Sequence, residues 1–510
     1  MARGLAQLIA PGLTRHPHKT AVIDHGRACS YAELDAMVSR LAAVLHAQGL
    51  VGERVALMLP NGLEILSCYL ACFRVGAIAT PVNYRYAPPE LERALTHVRP
   101  KWLVIHRSRL PILGRVDPAV AATLRVIVVG TGAEPLASGH TAFDALLSEQ
   151  PPLPITAPQP ADESPAVMFF TSGSTGQPKG VLHSQASARA ILESTSAAFG
   201  GVRDDDIIQV AEPQVHVSGF IDTLSVLMGG GTVVLLDGFE ESGYVAALRQ
   251  WRPTLICTHI DVVVKLMHWP GIRADDFACL RGVFTGGDRV SAAWQRQFMA
   301  LTGKPVQVGW GMTEAIWLTI CREPRFDGEG CIGQPVAGVE LRVTDPEGRD
   351  LPPGEVGEFR VRGPMVMLRY WEDPAETARA VEDGWLRTGD SGWYDPDGTW
   401  WFAARIKELI VRNTSKITPG EIEAALNTHD AVEESGVVGV PDPEEGEVPV
   451  AFVVLKPGHT IDEAALLAFL QGRIARYKIP ARIHFRESLP LTQSGKLDHR
   501  ALKTLATNAA

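Results

Sequence analysis

Apolar and polar positions alternate along this chain in patterns that name its elements. Ser30 and Glu33 have capping-box spacing, and after them Leu34, Met37, Val38, Leu41 and Leu45 recur along one helix face as far as Gly49. The run at 53–59, ERVALML, reads as a buried strand stopped by Pro60. A largely buried helix is predicted over 62–77 and a strand over 77–82, the rhythm of a parallel sheet with crossover helices. Further strand-like runs fall at 166–170, 232–236, 254–260 and 282–284, with helical segments between several of them. Six prolines within 151–165 mark a linker or surface loop. From 337 the texture changes to short strands at 337–345, 354–363 and 399–406, separated by turns such as DPEGRD and DPDG, as in a small antiparallel unit. After about 408 come a helix (419–430), strands (434–440 and 449–455), a helix (462–475) and a basic tail. The fold class expected is α/β: a large body of sheets with packed helices plus a small β region, followed by a small α+β unit.

Composition narrows the function. The chain has 510 residues, 46% of them apolar and 21% charged, which is globular composition with length for about three units. Its net charge is 48 − 58 = −10 without a basic run that stands out, so a nucleic-acid partner is not expected. The seven cysteines are odd in number and form no CxxC pair, which reads as buried thiols in a reducing compartment. The start of the chain lacks the apolar core of a signal peptide, and no run of eighteen apolar residues exists, so no integral membrane segment is expected. A soluble, cytoplasmic protein is the expectation.

Four local patterns carry chemistry. A strand runs into Thr171, Ser172, Gly173, Ser174, Thr175 and Gly176, followed by Lys179. Glycines let successive N–H groups face one point, hydroxyls add donors and lysine adds charge, which together make a phosphate cradle. It is not a Walker A loop, because Pro178 and Gly180 stand where Gly and Ser/Thr are required. A mobile surface loop is the alternative reading. In VQVGWGMTEA (306–315), Gly309 and Gly311 permit close approach of a ligand, Thr313 offers a hydroxyl, and Glu314 offers a hard oxygen suited to Mg²⁺; a turn with a solvated glutamate is the alternative. Asp390, after Thr388 and Gly389, can accept from a ribose diol or be a turn aspartate. Lys496, after Ser494 and Gly495, is a cation on a flexible loop that can be delivered to a distant site, or an ordinary surface lysine.

In this order the four patterns resemble the adenylate-forming superfamily of acyl-CoA synthetases, luciferases and adenylation domains. Gln214 to Gly219, Thr285 to Asp288, Gly333 to Pro335, Arg405 to Ile410, Thr418 to Glu423 and Tyr477 to Pro480 add to the match, which covers the whole chain. The resemblance implies a domain over 1–406 that binds ATP and carboxylate, a hinge at Lys407, and a mobile domain over 407–510 carrying the catalytic lysine. It also implies an ATP- and Mg²⁺-dependent ligase that makes an acyl-AMP, releases pyrophosphate, and transfers the acyl group to a phosphopantetheine thiol, most commonly that of coenzyme A. By the same resemblance the 171–179 loop holds the outer phosphates, Thr313 the α-phosphate, Glu314 the metal, Asp390 and Arg405 the ribose, and Lys496 bridges carboxylate and α-phosphate. Gly287, Asp288 and Gly311 join the nucleotide site, and Trp310, where relatives often have Tyr, stacks on adenine or floors the acid pocket.

The acid pocket implied comprises His216, the gating histidine, with Val217, Ser218, Ile221, Asp222, Gly286, Gly311, Met312 and Arg322. Asp222 stands alone among apolar residues on a helix, where a carboxylate is costly unless paired. It can meet a substrate ammonium, as in free-standing β-amino-acid adenylation enzymes, or make a structural bond; Arg322 can meet a second carboxylate. An amino-acid adenylation enzyme that loads a carrier protein is therefore the alternative function. The family usually places two glycines after the hinge strand, on the path of the thiol arm, whereas this chain has Asn413 and Thr414. A non-catalytic nucleotide-binding protein on the same fold conflicts with the joint presence of Glu314, Asp390, Arg405 and Lys496. A luciferase-like oxygenase remains compatible with the motifs. The partners expected are a small carboxylic acid, a carrier protein on the alternative reading, and a second copy in a homodimer.

Overall fold

The capping box forms as the spacing requires: Ser30 Oγ accepts from the Glu33 amide while Glu33 Oε2 accepts from the Ser30 amide at 2.8 Å, and the helix Tyr31–Ala47 follows. The computed structural model describes residues 4–130, 132, 135–148, 152–153, 159–171, 179–286, 290, 292–326, 328, 330–412, 415–442, 445–471, 473–474, 476–492 and 496–509. Two large sheets organise the described residues as far as Arg405. One runs, edge to edge, from the hairpin Thr20–Asp24 and Arg27–Ser30 through the parallel strands Thr232–Leu235, Ile207–Val210, Leu255–Cys257, Gly282–Gly286 and Gln307–Met312. It continues as antiparallel strands Ala315–Cys321, Cys331–Pro335, Trp400–Arg405, Trp385–Tyr394, Gly357–Arg362 and Glu340–Thr344. The second sheet centres on Pro165–Thr171, Ile78–Pro81, Arg54–Met58 and Trp102–His106, with Lys179–Ser184 antiparallel to the first of these.

The helices Leu63–Val75, Gln185–Ala198 and Val217–Gly229 share one apolar core with both sheets, so the body is a layered α/β structure. Phe169, Phe220, Tyr69 and Phe73 meet edge-on or stacked in that core. In the second sheet the strand Pro165–Thr171 ends at Thr171, and in the first Gln307–Met312 leads into the Thr313–Glu314 turn.

From Ile410 onward the strands Ile410–Arg412, Ser415–Ile417, Val432–Asp442, Gly446–Leu455 and Arg482–Arg486 form a sheet of their own. It has its own core of Ile410, Ile422, Leu426, Val437, Val453 and Leu466 under the helices Pro419–Asn427 and Glu463–Leu470. The second of these helices stops at Leu470, short of the predicted 475. Among the described residues no helix is long and apolar enough to cross a membrane.

Candidate active site

The antiparallel half of the first sheet curls, and that curl assembles the site. Trp310 lies in Gln307–Met312 and Asp390 in Trp385–Tyr394, with three strands between them in the sheet order, yet the Trp310 indole Nε1–H donates to Asp390 Oδ2 at 2.9 Å. Asp390 is thus a strand residue facing inward, paired in register with Arg405, whose Nε lies 3.6 Å from Oδ1. Burial pushes the Asp390 carboxyl up; Arg405, the Trp310 N–H and the charge of Lys496 oppose that, and Glu408 adds to it. Lys496, from the far end of the chain, therefore sits close enough to act on Asp390. Its own loop is closed by a bond from Thr492 N to Lys496 O at 2.7 Å.

Glu314 occupies the turn between Gln307–Met312 and Ala315–Cys321. Its Oε1 accepts from the Tyr370 hydroxyl at 2.8 Å, and its carbonyl accepts from Met367 N at 2.8 Å. The carbonyl of Thr313 accepts from His183 Nε2 at 2.9 Å; His183 is fully buried, and burial lowers its pKa to about 4, so the ring is neutral with its proton on Nε2. Lys179, first residue of Lys179–Ser184, pairs with Glu376, and its ammonium lies 5.1 Å from the Tyr370 ring centroid. Tyr370 reaches both because the strand Arg369–Tyr370 pairs with Val181 and Leu182. Arg379 shares the Glu376 carboxylate, Nη2 to Oε2 being 2.6 Å.

On the acid side, His216 precedes the helix Val217–Gly229 and its pKa is lowered by burial, with Arg85 and His259 adding to the effect. Val217, Ser218 and Met312 are partly exposed and Ile221 is buried. Asp222 is fully buried, and neither carboxylate oxygen meets an N–H or O–H donor among the described residues. Desolvation holds its carboxyl well above the usual range, and the Cys257 thiol lies beside it. Gly309 and Gly311 are required by contact: a Cβ on Gly309 would stand 1.7 Å from Trp317 Cζ3, and one on Gly311 would stand 2.8 Å from Trp317 N. Gly286, in register with Gly309, has no room for a Cβ either, the Gly309 carbonyl oxygen lying 2.8 Å away.

One expectation is corrected. Arg322 does not face an acid pocket: it is exposed, and its guanidinium donates to the carbonyls of Ala197 and Ala198 at 2.8 and 3.0 Å, closing the end of Gln185–Ala198. Unpaired carbonyls at a helix terminus attract a guanidinium, and they claim its donors. Ser172, Gly173, Ser174, Thr175, Gly176, Gly287, Asp288, Asn413, Thr414 and the side chain of Lys407 lie outside the described residues; Thr171 ends the strand Pro165–Thr171. Tyr370, Glu376 and Trp317 were missed. No local spacing signals the first two, because each meets its partner only through strand pairing, and Trp317 shows only as one more apolar position in a strand.

Comparison with known proteins identifies the family. Residues 11–371 match the model of the AMP-binding enzyme family and residues 421–496 that of the AMP-binding enzyme C-terminal domain. The chain belongs to the AMP-binding enzyme family. It is 34% identical to a feruloyl-CoA synthase of Amycolatopsis sp and 35% identical to an indoleacetate–CoA ligase of Aromatoleum aromaticum, each over 94% of both chains. The ATP-bound MatB structure from Rhodopseudomonas palustris superposes with a TM-score of 0.89 at 29% identity, covering 99% of each chain. This AMP-binding enzyme is thus an ATP-dependent acid–thiol ligase that forms an acyl-adenylate and then a coenzyme A thioester, using ATP, Mg²⁺ and coenzyme A. The donor set fits such a metal. Glu314 keeps Oε2 outside the Tyr370 bond, and among the described residues no cluster of three or more His, Cys, Asp or Glu forms a protein cage. Mg²⁺ takes one or two carboxylates and completes its shell with phosphate and water.

Proposed function

We propose that the enzyme activates a planar aromatic carboxylic acid, at a cleft edged by Glu314, Asp390 and Lys496. The convergence of three parts of the chain supports the cleft: the 310–314 segment, the 385–405 hairpin, and Lys496 near the C-terminus, whose charge reaches Asp390. In the first half-reaction a carboxylate oxygen attacks the α-phosphorus and the bond to the bridging pyrophosphate oxygen breaks. Both reactants are anions, so the protein's part is alignment and charge neutralisation. Lys496 serves the carboxylate and α-phosphate oxygens, Thr313 the α-phosphate, and Lys179 with the 171–176 loop the outer phosphates. Asp390 and Arg405 hold the ribose. Mg²⁺ held at Glu314 would offset phosphate charge. In the second half-reaction the C-terminal lobe, 407–510, turns about Lys407; the thiolate attacks the acyl carbon and AMP leaves.

Two features support an aromatic acid. Two of the similar enzymes, at 34 and 35% identity, are named for feruloyl and indoleacetate, both carried on planar rings. Gly309 and Gly286 border a wall in which the Trp317 indole packs edge-on against Phe199 and Phe284, 5.8 and 6.4 Å between ring centroids. The amino-acid alternative, with transfer to a carrier protein, rests on Asp222; its burial favours the neutral carboxyl, which offers an ammonium no preformed charge. Acid-dependent pyrophosphate exchange across aryl, fatty, dicarboxylic and amino acids tests the reading, followed by coenzyme A and carrier-protein acceptors. Strong exchange with aryl acids and a coenzyme A product is expected. Exchange confined to fatty or amino acids would refute it.

A further inference from the structure

We infer that Trp310 is a positioning residue for ribose recognition: its indole N–H fixes one oxygen of Asp390 so that the rest of the carboxylate meets the nucleotide's vicinal diol ready-oriented. The inference rests on the reading above, in which Asp390 holds the ribose. Trp310 and Asp390 are 7% and 5% exposed, 80 residues apart in sequence, and joined by a direct bond of 2.9 Å. The ring has little freedom. Phe359 meets it edge-on with centroids 5.2 Å apart, and Phe359 in turn meets Trp400 edge-on at 5.4 Å. Phe359 and Trp400 lie in Gly357–Arg362 and Trp400–Arg405, the strands on either side of the one carrying Asp390, so donor and acceptor are fixed to the same framework.

A carboxylate offers about four acceptor positions. Trp310 takes one on Oδ2, and Arg405 stands off Oδ1 at 3.6 Å from a largely exposed side chain. At least two positions therefore remain open, and a 2′,3′-diol needs two. Without the indole donor the carboxylate could turn about its χ2 bond, and each nucleotide would then have to order it on binding. The donor also favours the ionised carboxylate, as do Arg405 and Lys496, while Glu408 and burial oppose it. Loss of the N–H therefore moves the protonation of Asp390 to higher pH. A tryptophan that only stacked on the base would affect neither the hydroxyls nor that titration.

The test is calorimetric binding of ATP and of 2′-deoxy-ATP, with no acid substrate present, to wild type, Trp310→Phe, Asp390→Asn and the double variant. Trp310→Phe keeps a ring and removes the donor. It is expected to weaken ATP about tenfold, as loss of a charge-assisted bond does, and 2′-deoxy-ATP far less. The preference between the two nucleotides then narrows, and because both are read in one variant, any loss of folded protein cancels. The double variant should be no worse than Asp390→Asn, and the acid limb of ATP binding should move to higher pH in Trp310→Phe. Equal weakening of both nucleotides, or additive effects in the double variant, would overturn the inference. An Asp390→Asn enzyme with unchanged nucleotide preference would instead defeat the ribose assignment itself.

Discussion

Adding one methyl group at Gly309 should damage both folding and nucleotide binding. Its Cβ would stand 1.7 Å from Cζ3, 2.3 Å from Cε3 and 2.7 Å from Cη2 of Trp317, so it would overlap the six-membered ring of the indole. The ring cannot simply step aside. Trp317 has φ +48°, a left-handed conformation that already costs a bulky residue about 1–2 kcal/mol, and Phe199 and Phe284 pack against it. Expelling the indole would forfeit burial of roughly 150–250 Å², about 4–6 kcal/mol at ~25 cal/mol per Å². Overpacking with strand displacement costs about 1–3 kcal/mol, so that route wins and the ring stays. The strand that shifts carries Trp310 next in sequence, so its bond to Asp390 is strained as well. Gly309→Ala should therefore lose about 2–3 kcal/mol in urea unfolding and raise the KM for ATP in pyrophosphate exchange. Trp317→Leu, which shortens the clashing side chain, should recover part of the loss in the double variant, a non-additive pair. Stability within about 0.5 kcal/mol of wild type, with ATP KM unchanged, would refute the argument; so would additive losses in the double variant.

Three further outcomes are expected. His183 is folded with a pKa of about 4 against an ordinary 6.5, so its neutral form is fully stabilising above pH 6.5 and that share is lost as pH falls toward 4. Urea unfolding should show wild type losing about 3 kcal/mol more than His183→Gln over that window; equal acid slopes would count against it. Glu376→Gln frees Lys179 from a competing carboxylate and should lower the ATP KM about two- to fivefold with little change in kcat, the scale of a partly buried ion pair. A raised KM would mean that Glu376 aims the lysine instead. Lys496→Ala should slow acyl-adenylate formation by about two to three orders of magnitude while thioester formation from supplied acyl-adenylate stays within a few-fold of wild type; equal loss of both steps would reject alternation of the C-terminal lobe.

What could be read from the chain alone was whatever is local. The capping box at Ser30 closes within four residues, and the helix after it follows from spacing. The short strands His140–Ala142 and Arg27–Ser30 show no signal because they are partly exposed and carry no long apolar run. The same rule divides the site. Glycines at 309 and 311 and the acids at 314 and 390 announce themselves by type and position. The bonds that give them purpose join residues 80 apart for Trp310 and Asp390, 56 apart for Tyr370 and Glu314, and 197 apart for Lys179 and Glu376. Those distances are closed by the curl of one sheet and the pairing of Arg369–Tyr370 with the strand that begins at Lys179. Arg322 shows the converse: an arginine eight residues from Glu314 is drawn to helix-end carbonyls that only the packed structure brings within reach. A motif therefore fixes which side chains are available to a nucleotide, and long-range strand pairing decides which are aimed at it. It follows that substitutions at Tyr370, Phe359 or Trp400, none of which lies in a motif, should perturb ATP binding before they perturb the overall fold.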